Sequence, residues 1–165
     1  MRKLYIKQKV FSLSGKFSVK DAEENEVYFV EGSFMKIPKT FSIMDDKLNE
    51  VAMVTKKMFS FLPTFFVDVH GQETMAIKKH FSFLKARYTI DAAGIEVQGN
   101  WWDMDFEVYQ NRNFIGSVNK KWFTWGDSYE LQIANDEMES LLVALVVAID
   151  CAKADQNAAA SVAPG

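Results

Sequence analysis

Along most of the chain, apolar and polar residues alternate in short segments of five to eight residues, and polar turns separate these segments. Alternation with a period of two is the pattern of a strand that buries one face. The turns include DAEENE, DDKLNE, HGQE, DAAG and QNRN, whose Gly, Asn and Asp residues tolerate the backbone of tight turns. The pattern predicts twelve strands: LYIKQKVF, KFSVKD, VYFVEGS, TFSIMD, EVAMVTKK, TFFVDV, TMAIKKHF, RYTID, IEVQGN, DFEVYQ, FIGSVNKK and SYELQI.

The pattern changes near the C-terminus, where NDEMESLLVALVVAIDCAKAD lacks strand alternation. Asp136 followed by Glu139 has the spacing of a capping box, so we predict a helix over about residues 136–153. The nine residues from Leu141 to Ile149 are all apolar, which predicts a helix that is buried on every side and carries no buried polar group. They cover about half of what a membrane-spanning helix needs. We expect residues 154–165 to form a flexible tail.

A barrel with this many strands needs a plug, a ligand or water inside it, and the sequence offers one apolar helix as a plug. A closed barrel of about eight strands is roughly the widest that its own side chains can fill. We therefore predict an all-β fold with one helix, in which an antiparallel barrel of about twelve strands encloses the buried hydrophobic C-terminal helix. The length of 165 residues suits a single domain, which we place at residues 1–153. Gly32, Gly99 and Gly116 interrupt strand patterns and indicate bulges or close approach of the helix.

One phrase recurs three times, as KKMFSF, KKHFSF and KKWFTW. More broadly, the second strands of successive hairpins end in VEGSF, VTKKMF, AIKKHF, EVQGNW and VNKKWF, roughly every two dozen residues. This is self-similarity on the scale of one strand–turn–strand unit. In an up-and-down meander all second strands run the same way, so the lysine pairs are expected to gather at one rim and the acidic turns at the other.

A lysine-rich rim is a candidate site for anions. Its members are Lys56, Lys57, Lys78, Lys79, Lys85, Arg87, Lys120 and Lys121. Alternate strand residues face opposite sides, so the two lysines of a pair point into one pocket only where a strand is ending. The competing interpretation is that these lysines are solvated strand ends that discourage edge-to-edge pairing.

Other chemistry is sparse. Cys151 is the single cysteine, so no intrachain disulfide forms, which fits a reducing compartment. His70 lies in a turn, and His80 stands where sister repeats carry Met and Trp, which indicates packing. We expect no metal site, cofactor or catalytic constellation. The formal net charge of −3 argues against a nucleic-acid-binding domain.

A row of aromatic-rich hairpins followed by one apolar C-terminal helix resembles the LURP-one-related family. The stretches that carry the resemblance are MRKLYIKQKVFSLSGKFSV, FEVYQNRNFIGSV and LVVAIDCA, and it covers nearly the whole chain. The family is grouped with tubby C-terminal domains and phospholipid scramblases, so the resemblance implies a twelve-stranded barrel around a central helix. Tubby proteins bind phosphoinositides and scramblases act on membrane lipids, whereas the LURP-one-related branch has no firmly assigned activity.

These observations predict a non-enzymatic, tubby-like module that binds a phosphoinositide or an anionic membrane surface through the lysine-rich rim. We expect it in the cytoplasm, with peripheral attachment to the membrane and no transmembrane segment. One alternative is a structural or protein-interaction module with no lipid ligand. Another is a small-ligand carrier or enzyme that uses an internal cavity, which would need buried polar groups that the apolar helix does not offer.

Overall fold

The computed structural model describes residues 1–7, 15–33, 38–59, 62–72, 74–82, 85–92, 94–123 and 126–162. It has twelve strands and one long helix, so the predicted fold class is confirmed. The elements are β1 (Arg2–Lys7), β2 (Lys16–Asp21), β3 (Glu26–Gly32), β4 (Lys39–Asp45), β5 (Glu50–Phe59), β6 (Leu62–Val69), β7 (Met75–Ser82), β8 (Lys85–Asp91), β9 (Ile95–Asn100), β10 (Asp105–Gln110), β11 (Asn113–Phe123), β12 (Gly126–Ile133) and α1 (Glu139–Val162).

All neighbouring strands are antiparallel, and they form one sheet in the order β8-β7-β6-β5-β4-β3-β2-β1-β12-β11-β10-β9. The first and last strands pair directly, with Leu4 opposite Leu131 and Ile6 opposite Tyr129. The sheet begins at β8 and ends at β9, and no ladder joins these two strands in the described parts of the chain. The sheet is therefore a nearly closed barrel, with its seam between two strands that are consecutive in sequence.

The helix α1 fills the barrel. Every residue from Leu141 to Ala152 is buried, and inward-facing strand residues such as Val54 and Leu131 form one apolar core with it. Gly116 on β11 makes room for the helix, because a Cβ atom there would lie 2.5 Å from Leu142 Cδ1 and 2.5 Å from the Gln132 carbonyl oxygen. Burial of apolar surface contributes about 25 cal/mol for each Å², so the packing of this helix against the wall stabilises the barrel.

The start of the helix differs from the prediction. A one-turn 3-10 helix, Asp136–Met138, precedes α1, and the side chain of Asn135 caps it by accepting the Glu137 N–H at 3.1 Å. Asp136 is therefore not the cap. Glu139 is buried rather than serving in a capping box. Asn and Asp are about equally good caps, so their order here was not decidable from residue preference.

The end of the helix also differs. α1 continues to Val162, so residues 154–162 are helical and not the flexible tail that we expected, while residues 163–165 lie outside the described part. The segment is rich in alanine, the residue with the highest helix propensity. From Lys153 onward, however, the described side chains are partly or fully exposed.

The hairpins β2–β3 and β4–β5 share one turn, repeated 24 residues later as Asp21–Asn25 and Asp45–Asn49. In each, the first aspartate accepts backbone N–H groups from the residues two and four positions on, at 2.8–3.0 Å. The asparagine side chain donates to the other carboxylate oxygen at 3.0 and 3.1 Å. These hydrogen bonds hold the pKa of both aspartates below the ordinary value. The turn is the predicted repeat in three dimensions.

Candidate functional site at the lysine end of the barrel

The antiparallel order gives the barrel two distinct ends. Odd-numbered strands finish at one end, which we call the lysine end, and the hairpin turns such as Asp21–Asn25 lie at the other, the turn end. Helix α1 follows β12, so it starts at the turn end and runs toward the lysine end. On β5 and β11, the lysine pairs lie three and two residues before Phe59 and Phe123, the last residues of those strands. The pair on β7 lies in the middle of its strand.

Each lysine pair is divided between the two faces of the wall. Val54, Ile77 and Val118 are buried inward-facing residues of β5, β7 and β11. Because side chains alternate along a strand, residues an even number of positions from each of them also face inward, and residues an odd number of positions away face outward. The inward lysines are Lys56, Lys79 and Lys120, and the outward lysines are Lys57, Lys78 and Lys121.

Two outward lysines are brought together. Lys57 lies opposite Thr64 of β6 from one side, and Lys78 lies opposite the same Thr64 from the other. Two strand spacings separate their Cα atoms, or about 10 Å. Lys121 lies on β11, six strands along the sheet from β5, and so on the far wall. The expectation that all three pairs gather in one cluster is therefore wrong, because strands that end at one rim still stand on different sides of a barrel.

Lys57 and Lys78 keep weak internal contacts. Lys57 is exposed, and its Nζ lies 5.1 Å from the centroid of the Phe66 ring, a cation–π distance. Lys78 Nζ donates to Asp91 Oδ2 at 2.7 Å, and this contact lowers the pKa of Asp91. The side chains of Lys78 and Asp91 are 43% and 68% exposed, so the ion pair contributes little and can open to admit another anion.

Lys121, by contrast, belongs to an internal network on the outer wall. Glu130 is buried there, with Lys3 at 3.5 Å and Lys121 at 3.6 Å from its carboxylate oxygens. Tyr5 and Gln132 donate hydrogen bonds to it at 3.2 and 3.0 Å. Burial acts to raise the pKa of Glu130, but these donors and cations together lower it. The cation of Lys121 therefore balances a carboxylate of the wall.

Inside the lysine end, the wall contacts the helix through charge. Lys56 Nζ donates a hydrogen bond to Asp155 Oδ1 of α1. Lys39 lies directly opposite Lys56 on the neighbouring strand, and its Nζ is 5.2 Å from the centroid of the Phe41 ring. One cation of the wall, Lys56, therefore contacts a carboxylate of the helix, and a second, Lys39, lies on the neighbouring strand directly opposite Lys56.

The helix carries two buried carboxylates that our reading of the sequence missed. Glu139 is 5% exposed, accepts a hydrogen bond from the Tyr28 hydroxyl at 2.8 Å and lies 3.2 Å from Arg2. Asp150 is 8% exposed and accepts a hydrogen bond from the Tyr129 hydroxyl at 3.2 Å. The expectation that the helix has no buried polar group is therefore wrong. Tyrosines at inward strand positions are the only signal, and they become informative once the strand register is known.

Burial dominates the titration of these groups. It raises the pKa of Asp150 to about 6, although the Tyr129 hydrogen bond and the charge of Lys153 act in the opposite direction. Burial likewise raises the pKa of Tyr28 to about 12. Asp150 is therefore an acid that changes charge close to neutral pH.

Of the remaining candidates, those whose side chains the structure describes add no reactive site. The backbones of Lys85 and Arg87 lie in β8, but their side chains, like that of His80, lie outside the described residues. His70 is exposed in a turn. Cys151 is buried, and burial raises the pKa of its thiol. Among the residues that the structure describes, no three His, Cys, Asp or Glu side chains gather as metal ligands would.

A cavity of about 580 Å³ opens at the turn end, remote from the lysines. The start of α1, two hairpin turns and the β8–β9 connection line it, including Gln72, Ile95, Asn111 and Met138. In the described part of the chain, no helix has both the length and the apolar character needed to cross a membrane.

Comparison with known proteins agrees with this architecture. The sequence model of the family described as LURP-one-related matches residues 2–150. Protein YxjI of Bacillus subtilis (strain 168), described as uncharacterised, is 31% identical over 150 residues, which cover 91% of this chain and 93% of the relative. An X-ray structure of a protein from Arabidopsis thaliana covers 88% of each chain with a TM-score of 0.52 at 14% identity. At that identity, the likeness shows the fold alone.

Proposed function

The chain belongs to the LURP-one-related family, and we propose that its barrel is a non-enzymatic module that binds phosphate-bearing head groups of anionic lipids through Lys57 and Lys78. The observation that carries the proposal is the placement of these two lysines on either side of Thr64, facing outward from the same wall. No other lysine pair described above combines this proximity with exposure and weak internal contacts.

The spacing suits a phosphate group. A lysine side chain extends about 6 Å, so two lysines whose Cα atoms are about 10 Å apart can both reach one phosphate placed between them. The Thr64 side chain lies between them and offers a hydroxyl donor. The exposed Asp91 competes for Lys78, but a doubly charged phosphate is the stronger partner.

The binding mechanism is electrostatic. Each lysine near an anionic membrane surface contributes about 1 kcal/mol, and salt weakens the attraction because it screens exposed charges. A module of this kind acts in the cytoplasm and attaches to the membrane from one side, which is the location that we propose for this protein.

The test is co-sedimentation with phosphatidylcholine vesicles that contain graded fractions of a phosphoinositide. The test variant is Lys57→Gln/Lys78→Gln, and the matched control is Lys20→Gln/Lys47→Gln, which removes the same charge near the turn end. Loss of about 2 kcal/mol predicts that the test variant binds about 30-fold more weakly than the wild type. If both variants lose the same vesicle affinity, the binding is a general effect of net charge and does not depend on Lys57 and Lys78 in particular.

The proposal would be overturned if the wild-type protein did not bind these vesicles at low salt. Salt-tolerant binding to a protein partner, with no preference for anionic lipid, would instead favour the structural or protein-interaction module.

A further inference from the structure

A second anion-binding position lies inside the lysine end, on the other face of the wall. We infer that the place of the Asp155 carboxylate beside Lys56, with Lys39 opposite Lys56 on the neighbouring strand, is a binding site for a phosphate group, which the protein's own helix occupies until a ligand displaces it. This inference goes beyond the proposed function, because it concerns the inward lysines and does not depend on Lys57 or Lys78.

The arrangement of charge supports a doubly charged ligand. Lys39 and Lys56 face each other across neighbouring strands, where like charges are unfavourable unless an anion lies between or beside them. Asp155 supplies one negative charge, and it accepts a hydrogen bond from Lys56. Lys39 is exposed and has its recorded contact with the Phe41 ring. A phosphate has three oxygens that accept hydrogen bonds and nearly two charges, so it can engage both lysines.

Lys39, Lys56 and Asp155 all lie close enough to Cys151 of the helix for their charges to act on its thiol. Apart from its own burial and the neighbouring Asp150, the pKa of the Cys151 thiol responds to Lys39, Asp155 and Lys56. Cys151 itself is buried and the site lies at the margin of the core, between the barrel wall and α1.

The ion pair is sheltered, which makes an empty site costly. The side chains of Lys56 and Asp155 are 21% and 23% exposed. When one partner of a sheltered pair is removed, the other is left as a poorly solvated charge. Loss of the Asp155 carboxylate therefore leaves the charge of Lys56 unpaired, and a phosphate ion from solution can bind there in its place.

The helix can also withdraw. Residues from Leu141 to Ala152 are buried, whereas Ala154, Asn157 and Ala160 are exposed. The last turns of a helix open at low free-energy cost when few contacts hold them. Asp155 can therefore leave Lys56 by fraying of the helix end, while the buried part of α1 stays in place.

The first experiment is thermal unfolding in phosphate and in chloride at equal ionic strength. The proteins are the wild type, Asp155→Asn and the double variant Lys56→Gln/Asp155→Asn. We expect phosphate to raise the Tm of Asp155→Asn by at least about 3 °C more than it raises the Tm of the other two, because only this variant has an unoccupied cationic site. The double variant controls for general salting effects of phosphate. The same phosphate shift in all three proteins would overturn the inference.

A second measurement uses the wild type alone, so the inference can be tested even if Asp155→Asn folds poorly. Phosphate that displaces Asp155 should speed amide hydrogen exchange in residues 153–162, with no change in the buried residues 141–152. Chloride at the same ionic strength should leave both segments unchanged. Phosphate that leaves exchange at the helix end unchanged would contradict displacement.

Vesicles identify the source of the phosphate. If a lipid head group reaches the site, Asp155→Asn should bind phosphatidate vesicles about tenfold more tightly than the wild type, and free phosphate should compete. If only a free phosphate fits, the two proteins should bind vesicles equally and the thermal shift should persist. Both results support the site. The thermal unfolding experiment contains no membrane, so it tests the site at Lys56 and Asp155 even if Lys57 and Lys78 do not bind lipid.

Discussion

Each copy of the repeated turn contains one residue other than glycine in the left-handed backbone conformation. Glu24 has φ of 65° and Leu48, 24 residues later, has φ of 64°. Residues other than glycine lose about 1–2 kcal/mol in this conformation, and Leu48 is 65% exposed, so its side chain recovers little by packing. The hydrogen bonds of Asp45 and Asn49 to the turn offset that cost.

We therefore expect Leu48→Gly to stabilise the protein by about 0.5–1 kcal/mol, after allowance for the greater freedom of glycine in the unfolded chain. Denaturant unfolding measures the change. Lys47→Gly is the matched control, because Lys47 precedes the strained position and is not in the left-handed region, so this variant should be destabilised. A stabilisation by Lys47→Gly as large as that by Leu48→Gly would refute the strain at position 48.

Gly116 is the residue on which the fit of the helix in the barrel depends most directly. A Cβ atom there would collide with Leu142 and with the backbone of Gln132. Overpacking of this kind typically costs about 1–3 kcal/mol, so Gly116→Ala should lower the free energy of unfolding by that amount. Ser117→Ala, at the next residue on the outward face, should change it by less than about 0.5 kcal/mol. Equal effects of the two substitutions would mean that α1 does not press against β11 at this point.

At the scale of the element, α1 is an apolar plug with a buried carboxylate near each end of its apolar run. The apolar run was predicted correctly from the sequence, because nine consecutive apolar residues leave a helix no polar face. The contacts of Glu139 with Tyr28 and of Asp150 with Tyr129 were not predicted from the sequence, because they depend on which strand residues meet the helix. The low complexity of residues 154–162 predicts a tail, whereas the high helix propensity of their alanines extends the helix through them.

The raised pKa of Asp150 makes stability depend on pH. The folded protein holds this proton up to about pH 6, whereas an unfolded chain releases it near 3.8. The contribution of this group to stability is therefore greatest below pH 3.8 and is lost as the pH rises through about 6. A displacement of that size corresponds to about 3 kcal/mol.

Asp150→Asn removes the buried charge and keeps an oxygen that accepts the Tyr129 hydrogen bond. We expect it to stabilise the protein by about 1–3 kcal/mol at pH 8 and to leave it unchanged or weaker at pH 4. The measurement is the free energy of unfolding across this pH range. Asp136→Asn, at an exposed position before the helix, is the control and should show no such pH-dependent gain. A gain that is the same at pH 4 and pH 8 would contradict a buried, shifted carboxyl group at position 150.

At the scale of the whole molecule, charge is distributed by topology. The turn end collects the acidic turns of β2–β3 and β4–β5, while several lysines lie on strands near the other end. Alternation along each strand correctly predicted that the lysine pairs divide between two faces. It could not predict that Lys57 and Lys78 share a wall while Lys121 lies across the barrel, because that depends on strand order and register. Alternation along the strand does not predict the Lys56–Asp155 contact either, for the same reason.

The central claim is that the outer wall with Lys57 and Lys78 binds anionic head groups by charge. The most direct test is the vesicle affinity of the wild type and of Lys57→Gln/Lys78→Gln, measured from low to physiological salt on the same phosphoinositide-containing vesicles. Our account predicts that wild-type affinity falls steeply with salt, and that the variant starts about 30-fold lower and depends less on salt. If the two proteins show the same affinity and the same salt dependence, these lysines do not form the lipid-binding surface.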